Sequence, residues 1–75
     1  MSIYPNLDAE LSRYRLNAKY MAKSLNMALS TYYSKVGGYR DFKLGEMMKV
    51  KEVLDNTSGS DMELEYIFYK NPEKK

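Results

Sequence analysis

The 75-residue chain has no cysteine, no histidine and no tryptophan, and only two prolines and four glycines. Without cysteine there can be no disulfide, iron–sulfur cluster, thiolate zinc site or thiol nucleophile. Without histidine, the most frequent metal ligand and general base are missing, along with every triad built on them. No uncharged run is long enough to span a membrane, and no signal-peptide pattern opens the chain. No membrane partner is therefore expected, and a cytoplasmic location is. The scarcity of Gly and Pro, with 44% hydrophobic residues, argues against disorder. A single domain of this size buries only about 60% of the surface its unfolded chain exposes. Lacking disulfide and metal, it must rely on tight helix packing or on self-association.

Charge is what the chain has in an unusual arrangement. The net +2 conceals an acidic start, a basic middle and an acidic end. Arg13, Arg15, Lys19, Lys23, Lys35, Arg40, Lys43, Lys49 and Lys51 are opposed between residues 13 and 51 only by Asp41 and Glu46. Residues 52–69 carry Glu52, Asp55, Asp61, Glu63 and Glu65 and no base. Such a split suggests one surface that faces a polyanion and another that does not. Eight tyrosines are many for this length. They suit core edges, and they also suit an interface.

Apolar spacing points to helices throughout. Asn6 reads as an N-cap for a helix near 6–15, with Asp8 and Glu10 favourably placed in its first turn. Asn17 is the next capping residue. Ala18, Met21, Ala22, Leu25, Leu29, Tyr32 and Val36 then form one apolar series. By periodicity alone this is one long amphipathic helix, or two short ones joined at Asn26-Met27-Ala28. Gly37-Gly38 ends it. A further helix is predicted near 43–55, followed by a turn at 56–59. Ser60 and Glu63 have the spacing of a capping box, which predicts a last helix at 61–69; the β-rich Tyr66-Ile67-Phe68-Tyr69 makes a strand the rival. The expected core is Leu11, Met21, Ala22, Leu25, Tyr32, Val36, Phe42, Met47, Val50 and Leu54. The fold class is therefore all-α, a bundle of four or five helices in one domain spanning 1–75, with 1–5 and 70–75 flexible. No acid pair lies in an apolar run, no serine has a base, and no phosphate-binding loop is present. Neither an enzyme nor a cofactor is expected.

Leu16-Asn17-Ala18-Lys19-Tyr20-Met21-Ala22, then Leu25-Asn26-Met27-Ala28, Thr31-Tyr32 and Lys35-Val36-Gly37-Gly38 resemble the helix-turn-helix of the phage Cro and repressor family. Phe42 and Glu46-Met47 match the aromatic and the helix opening that follow in a small Cro-like branch. The resemblance covers about residues 7–55. Asn26 stands where the family has a turn glycine, and Ala28 where it has a capping hydroxyl.

The resemblance implies that 18–36 is two helices bent at Asn26. It further implies a small DNA-binding transcriptional regulator in the host cell, with double-stranded DNA as partner. Base-facing positions carry over to Leu29, Ser30, Tyr33 and Ser34. Lys19, Lys23, Lys35, Arg40 and Lys43 would contact phosphate. None of the four base-facing residues is one that reads a base bidentately. A homodimer is expected because one short helix reads a half-site, with Leu64, Ile67, Phe68 and Tyr69 as the dimer surface. The alternative is a protein-binding module on the same fold, a phage inhibitor or antirepressor.

Overall fold

In the computed structural model, residues 2–71 are described, and they form five helices. These are α1 (Pro5–Arg13), α2 (Ala18–Ser24), α3 (Leu29–Val36), α4 (Leu44–Ser58) and α5 (Leu64–Ile67). Helix α2 packs on α3 and α4, and α5 packs on α1 and α4. The bundle is all-α, with no strand among the described residues.

Helix α1 starts one residue earlier than expected. Pro5 takes the first helical position, where its missing N–H is not needed. Asn6 is consequently inside the helix, and its side-chain amide donates to the Tyr66 carbonyl at 2.9 Å. Helices α1, α2 and α3 all end by one device. In each, the residue after the C-cap turns left-handed, and its N–H and the next one reach back to carbonyls of the last turn. Those residues are Arg15 (φ 58°), Asn26 (φ 57°) and Gly38 (φ 87°). Asn26 therefore breaks 18–36 into two helices, as the resemblance implied.

Arg15 is the residue least suited to its backbone. A left-handed side chain costs about 1–2 kcal/mol, and glycine gives back about 0.5–1 kcal/mol in unfolded-state entropy. Arg15→Gly should thus stabilise the fold by up to about 1 kcal/mol, raising a thermal midpoint by several degrees. Asn26→Gly should gain less, because asparagine tolerates this region. A lower midpoint for Arg15→Gly would contradict this assignment of strain.

Helix α4 runs three residues past the expected stop at 55. Gly59, left-handed at φ 73°, is the terminator, and Thr57 donates its hydroxyl to the Val53 carbonyl inside the last turn. Helix α5 is much shorter than 61–69, and the Ser60 capping box does not form. The reason lies across the loop. Asp55 Oδ1 accepts the Met62 N–H, and Lys51 Nζ binds Asp55, Asp61 and the Met62 carbonyl together. Residues 61–63 are thereby held against α4 in non-helical form.

The core contains eight of the ten expected residues. Leu25 and Met47 are only half-buried. It also takes in Ile3, Tyr4, Leu7, Val53, Ile67 and Phe68. Ile3 and Tyr4 correct the expectation of a flexible 1–5. The Ile3 N–H donates to the Val36 carbonyl, and its own carbonyl accepts the Asn71 N–H, so both ends of the fold meet there. The expectation of flexibility at 72–75 lies outside the described residues. Tyr4, Tyr32, Phe42 and Phe68 form an edge-to-face aromatic cluster with Phe42 at its hub.

Candidate nucleic-acid interface

The Asn17 side chain accepts the Tyr20 N–H at 2.7 Å and caps the start of α2. Beyond the Asn26 turn, Ala28 enters α3 with extended backbone and no side-chain cap. Helix α3 turns Tyr32, Lys35 and Val36 inward. Burial first, then the Asp8 carboxylate, pushes the Tyr32 phenol well above its usual range, so it stays neutral. The opposite arc carries the four residues expected to face bases: Leu29, Ser30 and Tyr33 are exposed, and Ser34 is half-buried.

The expected phosphate-binding residues divide. Lys19, Lys23, Arg40 and Lys43 are exposed, and none joins an ion pair among the described residues. Lys19 and Lys23 line one shallow groove with Ala22, Asn26, Met27 and Leu29. Lys43 lines a second hollow, beside the turn, with Leu25 and Asn26. Lys49, not singled out in the sequence, lines the same hollow. Its only sequence signal was membership of the basic middle, and part of its charge is met by Glu52 at 2.9 Å.

Lys35 is a correction. It is only 4% exposed, and its ammonium binds Glu46 Oε1 at 2.5 Å. The α3 end and the α4 start are joined by this pair, so Lys35 is not available to a phosphate. Glu46 also accepts the Lys43 N–H at 2.9 Å, closing the first turn of α4. Burial raises the Glu46 carboxyl, but the bonds from Lys35 and the Lys43 N–H outweigh it and leave the group below its ordinary value.

A depressed carboxylate stabilises the fold above its unfolded value, about pH 4.3, and loses that contribution as pH falls through its lower folded value. Asp55, lowered by Lys51 and by the Met62 N–H, acts in the same direction. Glu46→Gln should therefore be less stable than the parent at pH 7, by about 2 kcal/mol or more, because Lys35 is left buried without its partner. The gap should narrow as the pH is lowered toward 3, as the parent's Glu46 begins to take up a proton as well. Urea unfolding at both pH values measures this, and a gap that widens in acid would contradict it.

The expected dimer surface is also corrected. Ile67 is fully buried and Phe68 nearly so in the chain's own core, and Leu64 is half-buried against it. Only Tyr69 of the four is well exposed. Helix α5 is the last element of the core, held to α1 by the Tyr66 hydroxyl, which donates to Glu10 at 2.6 Å. No metal-binding cluster and no membrane-spanning helix occurs among the described residues. No protein-family model, curated protein or solved structure matches the chain.

Proposed function

We propose that the chain is a small phage-type DNA-binding transcriptional regulator that lays α3 in the major groove and acts by occupying its site. The observation that carries this is the arrangement around the turn. An exposed arc on α3 stands beside Lys19 and Lys23, which share a groove with Leu29, and the turn itself stands beside Lys43. Phosphate binding by these lysines and Arg40 would set the register, and the arc would meet base edges. A host-cell cytoplasmic location goes with this reading. So does a homodimer, since one short helix covers a half-site, but Ile67 and Phe68 cannot be its centre. Selection of bound duplexes from a random pool by the purified protein tests the reading. Recovery of a common sequence is expected, and failure to retain any duplex at low salt would refute it.

A protein-binding module on the same fold is the second reading, favoured by the exposure of Leu29, Tyr33 and Tyr39. An aromatic protein interface would lose little affinity between low and moderate salt, where DNA binding loses orders of magnitude.

A further inference from the structure

Helix α3 has one charged residue, Lys35, and the structure turns it into the core against Glu46. The outward arc is therefore neutral: one aliphatic side chain, one phenol and two hydroxyls. Leu29 and Tyr33 lie one helical turn apart, are 39% and 56% exposed, and so form a continuous apolar strip. The Tyr33 ring leans on buried Tyr32, with centroids 6.3 Å apart, which limits its freedom before any partner arrives.

The major groove offers little that such a strip can match. Guanine and adenine are distinguished by bidentate donors and amides, and cytosine by a carboxylate; the arc has none of these. Serine hydroxyls both donate and accept, so Ser30 and Ser34 discriminate weakly. The one apolar group on the groove floor is the 5-methyl of thymine. Resting on the DNA-binding reading above, we propose that the outward face of α3 selects its site by packing Leu29 and Tyr33 on thymine methyl groups. Charge then supplies affinity from the flanks, through Lys19, Lys23, Arg40 and Lys43, while apolar packing supplies the sequence preference.

The test changes the DNA and leaves the protein intact. Duplexes recovered from the random pool are compared with copies in which deoxyuridine replaces thymidine. Pairing and every hydrogen-bonding group are then unchanged, and only the methyls are gone. The expected result is a loss of about fourfold per methyl covered by the protein, with the salt dependence unaltered. In Leu29→Ala the thymine-over-uracil preference should fall at the position Leu29 covers, whereas Ser30→Ala should retain it. Equal binding of the two duplexes by the unaltered protein would overturn the thymine reading and leave DNA binding standing. Retention of no duplex would overturn both.

Discussion

Phe42→Ala should lose about 3–5 kcal/mol, the range for removing a buried aromatic ring. Phe42 packs edge-to-face on Tyr4 at 5.6 Å, Tyr32 at 6.4 Å and Phe68 at 5.2 Å between ring centroids. One side chain thus ties the start of the chain, α3 and the segment after α5. Edge-to-face pairs add about 0.5–1.5 kcal/mol each beyond buried area, so truncation removes directional ring pairing as well as transfer energy. A chain of this length has a total stability of about 4–11 kcal/mol. The variant should therefore be partly unfolded at room temperature, or unfold in a small fraction of the parent's urea concentration. Tyr69→Ala, at an exposed aromatic, should change stability by no more than about 0.5 kcal/mol. Circular dichroism across a urea series reads both. Similar midpoints for the two variants would show that the aromatic cluster is not the centre of the core.

Replacing Lys19, Lys23 and Lys43 together by alanine should lower the slope of log affinity against log salt by about 3, close to one for each phosphate no longer neutralised. Affinity should drop similarly for all sequences, because phosphate binding positions the protein without reading bases. These side chains are exposed, so the fold should be little affected. Lys35→Met should do the opposite. It should leave the salt slope unchanged in the folded protein, because the ammonium is enclosed with Glu46, and it should lower stability by orphaning that carboxylate. Affinity measured from about 50 to 200 mM salt, beside thermal melts, separates the two. A reduced slope in Lys35→Met with an intact slope in the triple variant would remove the basic groove from the proposed function.

The resemblance pointed to the four residues on the outer arc of α3, and together with the basic middle it pointed to Lys19, Lys23, Arg40 and Lys43, which are exposed. The buried Lys35 was legible in neither, because it depends on where Glu46 falls after a loop of seven residues (37–43). By spacing, Lys35 is a last-turn cation, suited to the helix dipole and to solvent. Only the docking of α4 beside α3 supplies the carboxylate that makes burial tolerable.

The chain's own short-range signals determined the all-α class, the Asn17 cap and the stop at Gly37-Gly38. The cap and the stop depend on backbone groups within about one helical turn, and the class on apolar spacing along each segment, so nearby residues carry the information. Whether 18–36 was one helix or two stayed open by periodicity, since the apolar face continues through Asn26. Tertiary structure decided what depends on distant partners. Ile3 is held in place by hydrogen bonds with Val36 and Asn71 on either side, and Tyr4 is enclosed by the Phe42 and Phe68 rings. The helix expected from Ser60 does not begin there because Asp55 and Lys51, on α4, bind residues 61 and 62 and hold them in non-helical form. Ile67 and Phe68 face the core, not a second copy, because α1, α4 and the Phe42 ring enclose them. An apolar side chain in sequence declares only that it avoids water; which surface removes it from water is settled by the assembled fold.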